Sequence, residues 1–427
     1  MKCKESLLKV LPIVVCREEE VEEIEFKKNM EELKKNISAE FQILEECVVS
    51  GGKDLVKLET RFSEADAILL YKPRLGLGSC VAKIVESNLP VILFNKEGSV
   101  WTPLDALEYV YPRNNVWVAA NYGDLNSRLK ILEAKKNIGN TKLLVLNADY
   151  PHWERWLMRV PGGLNTIKER FGIKVEYVRS EEVVGRWSRI EEEKVKGVVE
   201  EWMGNAEKII EPSISDVEKV ARLYLVMKDL LSEKGAQGLT MAYGDDPLPA
   251  PCFAYVKLRD EGIPAACEAD IISLITMVIL HYVTGKPSFM GNLRHVDLNS
   301  NTLMISHCVA PTRMAGYDEP ALPYVLRNQH WGPPAGVLSA FVAMNTGQEV
   351  TVCRLDGELK SMLITRGVIE ECRDLEEYCR NTVSIRVSDV KKLIHSTSGN
   401  HHVMVYGDHR EEIRELNKLF GVATIEV

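Results

Sequence analysis

From Val10 to Ala120, and again from Lys142 to Glu268, short apolar runs alternate with longer amphipathic stretches. Ile68-Leu69-Leu70-Tyr71, Val91-Ile92-Leu93-Phe94 and Val116-Trp117-Val118-Ala119 in the first set carry little that water would solvate, and neither do Leu143-Leu144-Val145-Leu146 or Gly238–Met241 in the second. Strands of this kind are buried on both faces, as happens in parallel sheets covered by helices. The segments between them read as those helices: Ser79–Ser87, Ser215–Lys234, and the charged stretch Arg17–Lys35 with Val21, Ile24 and Leu33 turned inward. After Gly285 the texture changes. Phe289–Val296, Thr302–His307, Val337–Met344, Val350–Leu355, Lys360–Val368 and His401–Tyr406 read as strands, with a helix at Ser388–Ile394 and a Pro/Gly-rich loop over Ala310–Pro334.

At 427 residues the chain is too long for one ordinary domain. The expected fold class is α/β. Two successive Rossmann-like parallel-sheet domains, residues 1–138 and 139–286, precede a mostly antiparallel β domain, residues 287–427. A formal charge of −9 argues against a nucleic-acid backbone as partner. The longest apolar run, Ile271–Val283, is shorter than the roughly 20 residues that cross a bilayer. Val10–Cys16 reads as a first buried strand, since Lys9 and Arg17-Glu18-Glu19-Glu20 do not suit a signal peptide. The ten cysteines include no C-x-x-C pair, which fits reduced thiols in a cytoplasmic protein. Cys372 and Cys379 would share a face only if that stretch were helical.

Motifs narrow the chemistry. Gly76-Leu77-Gly78-Ser79 lacks the third glycine of a dinucleotide fingerprint and reads as a tight βα turn. No P-loop, H-E-x-x-H or G-x-S-x-G occurs. Glu268 falls where a strand ends and a helix begins, the position from which open parallel sheets address ligands, and Asp270 reads as the helix cap. His307 ends a strand, and His401-His402 open another, so at most one of the pair faces a given site. One carboxylate and two histidines suit a divalent metal such as Mn²⁺, Co²⁺ or Zn²⁺.

Four ordered blocks carry a family resemblance: Gly262-Ile263-Pro264-Ala265-Ala266-Cys267-Glu268-Ala269-Asp270, Gly285-Lys286-Pro287-Ser288-Phe289-Met290-Gly291-Asn292-Leu293, Ser306-His307-Cys308 with Pro311, and Gly399-Asn400-His401-His402-Val403. Together they resemble the L-fucose/L-arabinose isomerase superfamily, especially its fucose isomerase-like members, over about Gly238–Tyr406. The resemblance implies a metal-dependent aldose–ketose isomerase of sugars acting through an ene-diolate. Glu268 would be metal ligand and proton carrier, and His401 a ligand, with His402 the alternative. His307 would be a ligand or a contact to a substrate hydroxyl. Asn292 stands where the family pattern has an aspartate; its amide can ligate but cannot carry a proton near neutral pH. Asp297 is the acid nearest in sequence that would have to reach back to replace it.

The resemblance further implies Mn²⁺ as the metal (Co²⁺ or Mg²⁺ as alternatives) and a homo-oligomer, trimer or hexamer, whose pockets borrow residues from a neighbour. From the acidic charge and the short apolar run, no nucleic-acid or membrane partner is expected. Trp101, Trp153, Trp156 and Trp331 are candidates for a sugar-stacking wall. Asn292 keeps open a catalytically silent sugar-binding or regulatory relative. An isomerase of an acidic or sulfonated sugar is another possibility, for which Arg294, Arg313 and Arg327 are the cations to watch. A periplasmic-type sugar sensor fits less well because of the added β domain.

Overall fold

The computed structural model describes residues 7–16, 24–71, 78–95, 103–104, 107, 115–149, 160–242, 248–308, 310–328, 338–375 and 378–427. They divide into two compact units, residues 4–137 and 138–427. Arg17–Glu20, Gly76, Leu77 and all four candidate wall tryptophans (Trp101, Trp153, Trp156, Trp331) lie outside the described residues.

In the first unit, β1 (Lys9–Val15), β2 (Gln42–Ile43), β3 (Cys47–Val49), β4 (Ala67–Tyr71), β5 (Val91–Phe94) and β6 (Val116–Ala119) form one parallel sheet. Its order is β2-β1-β4-β5-β6, with β3 also pairing β1. Every residue of β4 and β5 is buried, as their unbroken apolar runs require. Helices Gly52–Glu59 and Gly78–Val85 supply Leu55, Leu58, Val81 and Ile84 to the same core. The charged stretch is helical over Ile24–Asn36, with Leu33 fully buried.

The second unit opens with β7 (Lys142–Leu146), β8 (Lys174–Val178), β9 (Lys208–Ile209), β10 (Gly238–Met241) and β11 (Ala265–Ala266). A second parallel sheet runs β11-β10-β7-β8. The helix Ile214–Lys234 begins at a capping box, Ser213 with Asp216, and stops at Gly235, whose φ of 60° ends the helical run. The helix Ile271–Thr284 is a core helix, with Ile271 to Leu280 all buried. It packs on β10 and β11 and also on strands of the domain that follows.

That domain holds β12 (Phe289–Asp297), β13 (Thr302–His307), β14 (Tyr324–Asn328), β15 (Leu338–Val342), β16 (Glu349–Leu355), β17 (Ser361–Arg373), β18 (Asn381–Val387), β19 (His401–Tyr406) and β20 (Ala423–Glu426). Six of these strands close an antiparallel barrel in the order β16-β19-β12-β13-β18-β17, with β20 added parallel to β17. Closure falls to β17, which is 13 residues long: its first half pairs β16 and its second half β18, bending at a bulge between Ile369 and Glu371. The fold class is therefore α/β with two parallel sheets followed by an antiparallel β domain.

Three details depart from the sequence expectation. The segment read as a loop over Ala310–Pro334 contains β14, which pairs with β15 and β9 in a small sheet. The C-terminal end carries a helix, Arg410–Phe420, and β20, both unread because no long apolar run marks them. Cys372 lies on β17 and not on a helix, so it shares no helical face with Cys379. No described helix is long and apolar enough to cross a membrane.

Candidate functional site

The site begins where β11 runs out. The Cys267 N–H turns to Met290 Sδ (3.3 Å), and Glu268 and Ala269 both adopt left-handed backbone, φ 61° and 55°. For residues with a Cβ this conformation costs roughly 1–2 kcal/mol each, and such strain concentrates at functional positions. The Ala269 N–H to Met241 O (3.1 Å) and Asp270 N–H to Cys267 O (3.1 Å) bonds hold the turn. Asp270 then caps the core helix, its Oδ1 accepting from the N–H groups of Ile272 (3.1 Å) and Ser273 (3.0 Å).

The barrel brings the histidines. β12 lies between β19 and β13, and its Asn292 sits directly opposite both His401 and Ser306. His401 opens β19 and His307 closes β13, so the two rings flank β12 with centroids 5.6 Å apart. Glu268 meets both: Oε1 is 3.7 Å from His307 Nε2, and Oε2 is 3.7 Å from His401 Nε2. One ligand atom from each of the three lies within 4.8 Å of the others. Both histidines are buried, while Glu268 is partly open to solvent.

The two imidazoles are held differently. His401 Nδ1 is 2.8 Å from Asp270 Oδ2. Burial pushes the Asp270 carboxyl up, but the His401 hydrogen bond and the Arg354 charge outweigh it and hold the group well below the usual carboxylate range. An ionised Asp270 can only accept, so His401 donates through Nδ1, and its other ring nitrogen, Nε2, is the one turned towards Glu268. Fully buried Arg354 completes this support: Nη1 lies 3.5 Å from Asp270 Oδ2 and donates to Ser273 Oγ (3.1 Å) and His401 O (3.0 Å). Ser273 Oγ in turn donates to Asp270 Oδ2 (2.7 Å). At His307, Nδ1 accepts the Cys308 N–H (3.0 Å), which leaves the ring proton of the neutral form on Nε2. That Nε2 is buried and hydrogen-bonded to nothing among the described residues. Burial lowers the His307 pKa below its ordinary value, with Glu268 pulling the other way.

Glu268 and His401 therefore fit a divalent cation as they stand. His307 fits through Nε2 in the other tautomer, which gives up the Cys308 bond, and as it stands it offers Nε2–H as a donor. The mixed oxygen–nitrogen donor set suits Mn²⁺, Co²⁺ or Zn²⁺. Asn292 is half-buried and, by its pairing, projects to the same face as His401. His402 is engaged elsewhere: it lies opposite Gly291, donates from Nδ1 to Asn400 O (3.0 Å) and accepts from Thr397 Oγ1 at Nε2 (2.9 Å). Burial pushes its pKa down to about 4. Asp297 is not brought in; it sits at the far end of β12, binding the Asn299 N–H and the Ser300 hydroxyl in a turn.

Sequence reasoning took Asp270 only as a cap and missed its hold on His401; it missed Arg354 and Ser273 altogether. The one available signal was the spacing of Asp270, two residues past Glu268.

No protein-family model matches the chain. It is similar to proteins named sulfoquinovose isomerase. The protein of Priestia megaterium is 27% identical over 257 residues, 54% of each chain. That of Alkalicoccus urumqiensis is 25% identical over 320 residues, 71% of this chain and 68% of that one. That of Clostridium sp. is 23% identical over 268 residues, 58% and 56% of the two. The match spans about half the length of the Priestia relative. Among solved structures, a XylFII molecule aligns at 12% identity and a TM-score of 0.16, over 66% of this chain and 96% of that one, and carries no argument.

Proposed function

We propose that the chain is a metal-dependent aldose–ketose isomerase whose substrate is a hexose with a sulfonate at C6, the class to which sulfoquinovose belongs. The observation that carries this reading is the convergence of Glu268, His307 and His401, with ligand atoms within 4.8 Å of one another. The names of the similar proteins support the reaction type and favour the modified sugar over a plain one. A homo-oligomer, Mn²⁺ as the metal and cytoplasmic residence belong to the same reading.

Isomerisation moves one hydrogen between neighbouring carbons and one hydroxyl proton between neighbouring oxygens, with no net redox partner. Glu268, half open to the site, takes the proton from C2 and returns it to C1, the electron pair shifting through an ene-diolate. His307 Nε2–H stands beside Glu268 to bond the substrate oxygen that gains negative charge. A divalent cation held by Glu268 and His401 would supply charge stabilisation at O1 and O2. Asp270 and Arg354 keep His401 in the tautomer that presents Nε2. Asn292 supplies an amide for a hydroxyl and no proton.

The test is incubation of the purified chain with MnCl₂ and sulfoquinovose, beside a panel of neutral aldoses, with ketose read by NMR. Glu268→Gln is expected to lower kcat by about 10²–10⁴ while leaving the melting temperature in place. Sugar binding with no ketose from any member of the panel would leave the silent relative that Asn292 favours.

A further inference from the structure

Two of the arginines weighed for an acidic substrate group are taken up within the fold. Arg327 grips Glu211 through Nε and Nη2 (2.7–3.0 Å) and pairs with Asp374 through Nη1. Arg313 donates to the carbonyls of Tyr317 (2.9 Å) and Glu319 (3.1 Å), while Arg294 is exposed on β12. A polar group of another kind stands at the carboxyl ends of the second parallel sheet, the edge from which Glu268 projects.

Leu146 closes β7 opposite Met241, which closes β10, and Thr240 stands opposite Ala266, which closes β11. The next residues in that register are Asn147, Ala242 and Glu268, one row across three strand ends. The Ala242 N–H to Leu146 O and Ala269 N–H to Met241 O bonds, both 3.1 Å, hold β7 and the Glu268 turn against β10. Asn147 and Glu268 are two strand spacings apart, roughly 10 Å between backbones, on the scale of a hexose laid along the strand ends. Both leave their strands in left-handed backbone, φ 54° and 61°.

The Asn147 side chain leans over β10, the strand between it and Glu268: Nδ2 donates to Ala242 O (3.0 Å). That bond fixes the amide, because a carbonyl oxygen takes a hydrogen bond only from the NH₂ end. Oδ1 therefore faces away from Ala242 O. It is buried, in a residue 4% exposed, and accepts no hydrogen bond among the described residues. His307 Nε2, on the far side of Glu268, is in the same condition. Folded chains seldom leave such groups unsatisfied, and those that persist call for a ligand or a function.

Resting on the isomerase reading above, we propose that Asn147 is a specificity-determining residue whose Oδ1 accepts a hydrogen bond from the sugar, at the end away from the carbons on which Glu268 acts. An amide oxygen can only accept, so its partner is a hydroxyl and not a sulfonate oxygen. In a 6-sulfonated hexose whose O5 closes the ring, the 4-hydroxyl is the one furthest from C1. The contact is the same before and during proton transfer, so it lowers KM and leaves kcat alone.

Calorimetric titration of the full chain with MnCl₂ present, for wild type and Asn147→Gly, with sulfoquinovose and its 4-deoxy analogue, tests this. Glycine adopts left-handed backbone freely, so the variant is expected to fold and melt close to wild type. Wild type is expected to bind the 4-deoxy sugar about three- to tenfold more weakly than sulfoquinovose. Asn147→Gly should bind both sugars at that weaker level, with KM raised and kcat nearly held. Equal affinity of the wild type for the two sugars, a comparison that stands whether or not the variant folds, overturns the proposal. So does a preference that survives Asn147→Gly, which would make the amide a tie between strand ends and nothing more. A preference lost in the variant while the wild type forms no ketose supports the role of Asn147 and sinks only the isomerase reading. A wild type that binds neither sugar overturns both.

Discussion

The two compact units are built on the same kind of sheet, yet among the described residues the cluster of a carboxylate and two imidazoles lies in the second. Residues 4–137 hold a parallel sheet with buried apolar strands and not one histidine; all nine histidines of the chain lie beyond residue 151. Residues 138–427 hold a second parallel sheet, and there a strand of two residues breaks off into a left-handed turn against a barrel whose strands begin and end in imidazoles. A parallel sheet by itself offers backbone and a place at its strand ends. In the second unit the neighbouring barrel supplies what that place lacks, namely nitrogen donors on a rigid antiparallel frame.

That contrast is breakable. The largest effect is expected from Asp270→Ala, which removes the helix cap, the partner of His401 and the counter-charge of fully buried Arg354. Leaving a buried charge unpaired costs about 3–5 kcal/mol. Chemical denaturation should show this loss in the transition of the second unit only. Asp270→Asn should keep the cap yet still weaken Mn²⁺ binding by about ten- to a hundredfold, measured by calorimetry.

The next effect is acid sensitivity confined to the histidine-bearing unit. Burial lowers His281 and His402 to about 4 from an ordinary 6.5. Between those values the unfolded chain binds protons that the folded chain refuses, so stability falls as pH falls. Each histidine contributes about 1.4 kcal/mol per pH unit over that window. Melting followed from pH 7 to 4.5 should show the second unit losing stability and the first changing little; His281→Phe should flatten the slope by its share.

The smallest effect sharpens the role of the turn. Ala269→Gly relieves left-handed backbone and should stabilise the second unit by about 1 kcal/mol, read by thermal melting. It loosens the backbone beside Glu268, so kcat should fall while sugar affinity holds.

Much of the fold was legible where burial on two faces leaves an apolar run with no other use: Leu69, Leu93 and Leu144 each sit in the middle of such a strand. β14 was not, because Pro320, Pro323 and the glycines around it read as loop, and what makes Tyr324–Asn328 a strand is pairing with β15 and β9, from distant parts of the chain. The site followed the same division. Glu268, His307 and His401 are far apart in sequence, and spacing alone could not bring them together; the resemblance of their blocks did. Asp270 was half legible: an aspartate before an apolar helix is fully accounted for as a cap, and nothing local announces an imidazole 131 residues away. Arg354 lies in a strand whose neighbours are apolar, where only the fold reveals its partners.

The buried helix Ile271–Thr284 has a dynamic consequence. It is wedged against the parallel sheet on one side and against β16 and β19 on the other, and it is fastened at its first turn to both Glu268's turn and His401's ring. A clamshell motion separating carboxylate from imidazole would have to pull this greased bolt out of one wall, exposing Leu274, Ile275 and their neighbours to water. The cluster of Glu268, His307 and His401 is thus cast in place by the packing of this helix, with no hinge between the two layers.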